Sequence, residues 1–403
     1  MNDPTQAGPP GFESPGPSGP DVPVLPDAAA PLVTPAVPAG PDPEARRISR
    51  GLFVWLMVIA FGGLVSTLFS HPEAAFFFAA AGVLILAQAT DAAVAVSGYR
   101  EWVQSNVPRG EFRGRLFRAI VRALVPITGV LFFLGIGAWA QSENGQLLAH
   151  RQAAGWSYAA AVICALLVWR PAADLVTRLC FRSGPIGRTR RLTARIVVMM
   201  LLLPVPMQLL FPELMAALKA TEEPLATPGG LIGQMIGEIA LAAAGVGLLV
   251  RRNWSETLER LGMVAMKPAH YGVALVGLVA IIVLNTGAEW IQEHYFQALW
   301  LRDSEITKLI AADLTVATAL LLGLSAGFGE EIALRGALQP RLGIVLTSVV
   351  FASAHVQYSW YGMLTIAVLG TLLGLVRART NTTTAIVVHA LYDVYAVLSS
   401  QGS

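Results

Sequence analysis

The chain has 403 residues, of which 55% are hydrophobic and only 13% charged, with a mean hydropathy of +0.59. Soluble domains carry about 25% charged residues, so a single water-soluble core is excluded, and a net charge of +2 leaves no case for nucleic-acid binding. Cys164 and Cys180 have no metal-like spacing and give no disulfide argument.

The first fifty residues are about one quarter proline. So little apolar surface cannot repay ordering entropy, and 1–50 is expected to be a disordered, Pro-rich cytoplasmic tail. No cleavable signal peptide is expected. Apolar runs then begin near Gly51, Ala74, Ala119, Ala153, Ile196, Gly230, Gly272, Leu314, Gly343, Met363 and Thr383. Runs of ~20 apolar residues are the mark of spanning helices. The fold class is therefore an all-α polytopic membrane protein of about eleven transmembrane helices. The loop Leu218–Gly230 is the expected seam between an N-terminal membrane region of about five helices (51–225) and a C-terminal one (226–403). No internal repeat of the inverted-topology transporter kind is visible.

Basic residues set the orientation. Arg46, Arg47 and Arg50 precede the first span, Arg109 and Arg113 follow the second, and Arg188, Arg190 and Arg191 follow the fourth. Arg251 and Arg252 follow the sixth, Arg335 and Arg341 the eighth, and Arg377 and Arg379 the tenth. The alternate connections hold Glu222, Glu223, Glu289, Glu293 and Glu305 instead. The N-terminus is therefore expected in the cytoplasm, and the plasma membrane is the expected location.

An ionisable residue within a span costs ~3 kcal/mol even on a lenient insertion scale, which makes each one a site hypothesis. Asp91 and Glu238 stand alone, and for both a structural hydrogen bond is the favoured reading. The C-terminal charges fit together. GFGEEIALR ends the uncharged stretch Leu314–Phe328. On a helix Glu331 and Arg335 share a face four residues apart and pair. Glu330 is turned about 100° away and stays free to project into whatever the helix lines. GIVLTSVVFASAHVQYSW places His355 in an apolar helix one turn after Phe351, and TTAIVVHALYDVYAVL places His389 and Asp393 on one face of the last span.

The order GEEIALR, FASAH, HALYD on successive spans resembles the CPBP family of intramembrane proteases, which includes the CAAX prenyl endopeptidases. The resemblance covers about the last 90 residues, Asp313–Ser403, and ETLERLGMVAMKP (Glu256–Pro268) is weakly similar to the family's lead-in to its core. It implies a C-terminal helical bundle enclosing the active site of a glutamic-type endopeptidase acting on a membrane-associated protein or peptide. Glu330 would be the general base that takes a proton from water, and His355 would share and position that water. His389 would stabilise the oxyanion with Asp393 beside it, while Glu331 and Arg335 brace the helix. Family members often carry asparagine where this chain has Asp393. Asparagine donates a hydrogen bond and an ionised aspartate cannot, so Asp393 is expected to orient His389.

The resemblance implies no cofactor. The competing reading is a zinc site of His355, His389 and Asp393 with Glu330 as a separate base, although no HExxH is present. GLSAG (Gly323–Gly327) matches the GxSxG nucleophile elbow, which draws its meaning from a strand–turn–helix setting. Here it falls in a helical span, where small residues serve close helix packing. A non-catalytic membrane scaffold of the same fold is the alternative from another class, and a proton-coupled transporter using Glu238 is a third. Beyond the substrate and the lipid bilayer no partner is indicated. Neither substrate identity nor oligomeric state is legible.

Overall fold

The computed structural model describes residues 43–68, 72–95, 112–144, 147–181, 184, 186–220, 226–311 and 314–401. Most of the proline-rich tail, with Arg100, Arg109 and Glu222, lies outside these residues, as does the side chain of Asp91. In chain order the helices are α1 (Pro43–Leu68), α2 (Pro72–Ala95), α3 (Phe112–Asn144), α4 (Leu148–Leu166) and α5 (Arg170–Cys180). Next come α6 (Arg188–Leu202), α7 (Pro204–Leu209), α8 (Phe211–Lys219), α9 (Pro228–Val246), α10 (Trp254–Leu261), α11 (Pro268–Tyr295) and α12 (Gln297–Ala311). The C-terminal part holds α13 (Val316–Glu331), a π-helical segment (Ile332–Leu338), α14 (Gln339–Leu342), α15 (Ile344–Ser353), α16 (Trp360–Arg379) and α17 (Thr382–Gln401).

This is an all-α polytopic membrane fold. Among the described residues eight helical stretches are long and apolar enough to cross a bilayer, or nine if α4 and α5, bent by 101°, count as one span. Each of the eleven expected apolar runs coincides with a helix, but two of them are short: Phe77–Ala89 within α2, and α15. Ten residues at 1.5 Å rise reach about 15 Å, half a hydrocarbon core. The lipid-facing side is plain on α11, where Leu275, Val276, Val279 and Val283 are all exposed.

Helix α1 begins at Pro43, so residues 43–50, expected as tail, are helical. Pro at the first position and Glu44 in the first turn favour that start, and Ile48 is buried in a cluster with Trp55, Phe78, Leu248 and Val250. The same cluster joins α1 and α2 to α9, and Trp55 Nε1 donates to the Leu248 carbonyl at 2.8 Å. Helices from both sides of the loop 218–230 thus pack together.

Caps set the ends of the helices that matter for the site. Thr315 accepts from Thr318 N at 3.2 Å at the start of α13. Asn381 accepts from Thr384 N at 2.9 Å before α17, and its amide nitrogen donates to the Val264 carbonyl at 3.2 Å, tying that cap to the loop before α11. Ser359 caps α16, accepting from Gly362 N at 3.1 Å.

Contrary to expectation, His355 is not inside a helix. Helix α15 stops at Ser353, and His355 sits in the connection to α16. That connection is held from three sides. Gln208 on α7 donates to the carbonyls of Val356 at 3.1 Å and Tyr358 at 2.7 Å. Asp303 on α12, 7% exposed, accepts from both Ser359 N and Ser359 Oγ at 2.6 Å. Gln292 on α11 donates to the same aspartate at 2.7 Å.

Asp303→Ala leaves these donors without an acceptor in a buried setting, at 1–3 kcal/mol for each unsatisfied group. It is expected to lower stability by on the order of 3 kcal/mol, read as an earlier thermal unfolding transition in detergent. Exposed Glu305, on the same helix, should tolerate the same change.

Candidate active site

The site is built where α13 and its π-helical continuation meet α17. Glycine makes the approach possible. A Cβ at Gly323 would lie 2.6 Å from the Ala390 carbonyl oxygen, and one at Gly327 would lie 3.0 Å from the Ile386 carbonyl oxygen. The backbones of α13 and α17 therefore touch along this seam. Ser325, between the two glycines, is buried and donates to the Leu231 carbonyl on α9 at 2.7 Å. GLSAG is thus a packing motif, and its hydroxyl is spent on a backbone carbonyl.

The two adjacent glutamates are treated differently, as the helical spacing predicts. Glu331 and Arg335 are both 0% exposed, with Oε2 and Nε 3.5 Å apart. Arg335 also donates to the Gly370 carbonyl on α16 at 3.0 Å, and its guanidinium lies over the Phe351 ring at 5.0 Å. The other oxygen of Glu331 meets His389 Nδ1 at 3.0 Å. Glu330 points elsewhere, keeps 18% of its side chain exposed and brings Oε2 to 3.8 Å from His389 Nε2. Asp393 stands on the same side of the imidazole, with Oδ2 3.4 Å from Nε2.

His389 is therefore gripped at both nitrogens by carboxyl groups from two helices. His355 reaches the group from above its own turn: its Nδ1 lies 2.9 Å from the Phe351 carbonyl. The Phe351 ring is edge-on to His355 at 4.7 Å and to His389 at 6.0 Å. His389, Asp393 and Arg335 are the charged groups whose fields reach His355. All six residues singled out in the sequence, Glu330, Glu331, Arg335, His355, His389 and Asp393, thus belong to one neighbourhood around Phe351. Among the described residues no set of three or more His, Cys, Asp or Glu is arranged to hold a metal ion.

Three contributors were not expected. Glu238 on α9 makes the hydrogen bond foreseen for it, from Gln234 Nε2 at 3.0 Å, but its carboxyl also abuts Gly329, next to Glu330. Asp303 and Gln208 hold the His355 connection, and neither carries a sequence signal. Asp303 reads like Glu289, Glu293 and Glu305, as one more acid between spans. The π-helical turn that carries Arg335 is a further local irregularity, a kind common at functional sites.

Arg335→Met would leave Glu331 at zero exposure without its guanidinium partner and with His389 alone. Breaking one partner of a buried pair costs about 3–5 kcal/mol, so this variant is expected to lose most of its monodisperse, folded population on detergent extraction, measured by size-exclusion chromatography. Arg335→Lys should recover only part of it, since it cannot reach Glu331 and the Gly370 carbonyl together.

A family model described as type II CAAX prenyl endopeptidase Rce1-like matches residues 312–395. The chain is also similar to the Uncharacterized protein YpbD of Bacillus subtilis (strain 168), with 27% identity over 139 residues, 34% of this chain and 70% of that protein. No solved structure matches the chain. The matched segment 312–395 holds all six residues of the group around Phe351, and it is this segment that is similar to the Rce1-like type II CAAX prenyl endopeptidases.

Proposed function

We propose that this integral membrane protein is an intramembrane endopeptidase that hydrolyses a peptide bond of a membrane-associated protein or peptide, using water activated by Glu330 and the two histidines. The observation that carries the reading is the division of labour between adjacent acids. Arg335 and His389 hold Glu331, while Glu330 keeps a partly open carboxyl 3.8 Å from His389 Nε2.

In the proposed reaction Glu330 takes a proton from water as the oxygen attacks the scissile carbonyl. His355 shares that water. His389, oriented by Glu331 and Asp393, faces the oxyanion of the tetrahedral intermediate. On collapse the proton held by Glu330 passes to the departing amine, which restores the carboxylate. In this reading the route needs no metal, since Glu330, His355 and His389 supply the base, the water-holding group and the group facing the oxyanion. A cytoplasmic N-terminus, supported by the alternation of basic loops, is part of this proposal, and so is a location in the plasma membrane.

Losing a general base costs roughly 10²–10⁴-fold. Glu330→Gln is expected to reduce turnover by that order while the protein still inserts and purifies, with cleavage followed by comparing membrane peptidomes of cells carrying either form. Full biological complementation by Glu330→Gln would instead favour a non-catalytic scaffold. Ser325→Ala should keep cleaving, which separates this mechanism from a serine protease. Exhaustive dialysis of the purified enzyme against a chelator should leave activity intact; loss restored by zinc alone would favour the metal reading.

A further inference from the structure

Where α10 meets the ends of α14 and α16 there is an open cavity of about 630 Å³, lined by Glu256, Glu259, Arg260, Pro340, Arg341 and Arg377. None of the six residues grouped around Phe351 lines it. Arg260 joins the two places, donating to the carbonyls of Gly336 at 3.0 Å and Ala337 at 3.4 Å in the π-helical segment that carries Arg335. Arg341 and Arg377 have no such employment. Among the described residues no carboxylate reaches ion-pair distance of either, and Nε of Arg377 is buried without a hydrogen-bond partner. More positive charge stands close by. Arg251 and Arg252 precede α10, and burial, with the fields of Arg252 and Arg377, holds the Arg260 guanidinium below its ordinary range.

The two acids of the lining do not cancel this charge. Glu256 Oε2 accepts from the Asn253 N–H at 2.8 Å, within the box that caps α10, and Glu259 is exposed. Three guanidinium groups against two carboxylates leave one positive charge over. A phosphodiester carries one negative charge, and its oxygens suit the fork of a guanidinium.

Depth in the bilayer points to the source of that phosphate. The spans Val316–Leu342 and Trp360–Arg379 both end at this cavity, and α10 lies between two further spans, Pro228–Val246 and Pro268–Tyr295. Trp254, the first residue of α10, is exposed, and tryptophan is enriched at the level of the lipid headgroups. Basic pockets between helices at this level receive anionic headgroups.

We propose that this cavity is a phosphate site, filled by the headgroup of an anionic phospholipid whose phosphodiester bridges Arg341 and Arg377. The site goes beyond the protease reading and stands without it.

Full-length protein purified in a phosphate-free maltoside detergent tests this, with phosphatidylglycerol as the probe and native mass spectrometry and thermal unfolding as readouts. One lipid is expected to stay bound and to raise the unfolding temperature. Arg341→Gln and Arg377→Gln are each expected to weaken its retention about tenfold, the worth of one hydrogen bond to a charged group. Arg379→Gln, exposed at the same helix end but outside the cavity, should retain the lipid as the wild type does. Inorganic phosphate is the second arm: stabilisation by it and not by the lipid keeps the phosphate site and overturns the headgroup as its source. No stabilisation by either probe, or equal retention in the two cavity variants and Arg379→Gln, overturns the site. Should Arg377→Gln fail to fold, Arg341→Gln decides.

Discussion

A guanidinium with no solvent exposure must find its compensation inside the protein, and the site is organised around that need. Arg335 obtains it from Glu331, from the Gly370 carbonyl and from the face of Phe351. Those partners come from α13, α16 and α15, so one charge fixes the register of three helices. The close approach of α16 depends on Gly370, since a Cβ there would lie 3.2 Å from Arg335 Nη2. Glu331 then extends the network to α17 through His389 Nδ1. The pair therefore stabilises little by itself, since burying two charges costs nearly what their attraction returns. It specifies instead: any rearrangement that separates the four helices strands a charge in a medium that cannot solvate it.

The N-terminal helices contribute to that specification. Gln208 reaches from α7 to the connection bearing His355, and the α1–α2 pair packs on α9, the helix that carries Glu238 and receives Ser325. The residues with chemistry thus stand between two supports. One is the seam of α13 and α17, held at backbone contact by glycine. The other is a polar clamp of Asp303, Gln292 and Ser359 that fixes where α16 begins. A site enclosed in this way holds its groups at set distances, which general acid–base chemistry requires.

Much of this was legible in the sequence, and the reason is periodicity. Apolar runs of bilayer length located the helices, and the i, i+4 spacing of Glu331 and Arg335 dictated both their pairing and the freedom of Glu330. The same spacing placed His389 and Asp393 on one face. What escaped depends on contacts between distant segments. That α15 ends before His355 follows from Gln208 and Asp303, some 150 and 50 residues away, and no local pattern announces either. The seam at 218–230 looked like a divide because its composition is that of a loop, yet α9 beyond it shares a core with α1 and α2. Glu238 was correctly read as hydrogen-bonded; its contact with α13 depends on Gly329, whose significance emerges only once α9 lies against α13.

The tautomers implied by the hydrogen bonds give the two histidines different capacities. His355 has its Nδ1 against a backbone carbonyl, which can only accept, so Nδ1 carries the proton and Nε2 of the neutral ring is an acceptor. Such a ring suits holding a water by one of its O–H bonds and does not suit donating to an oxyanion. His389 likewise gives Nδ1–H to Glu331, but its Nε2 confronts two carboxyls, Asp393 at 3.4 Å and Glu330 at 3.8 Å. A lone pair facing two acceptors is unfavourable unless a proton lies among them, on the ring or on one of the acids. Aspartate at position 393, where an asparagine would bring its own N–H, makes that proton obligatory. The site therefore has to be stocked with protons before substrate arrives, and its acids and imidazoles must be considered as one titrating assembly rather than as a base with attendants.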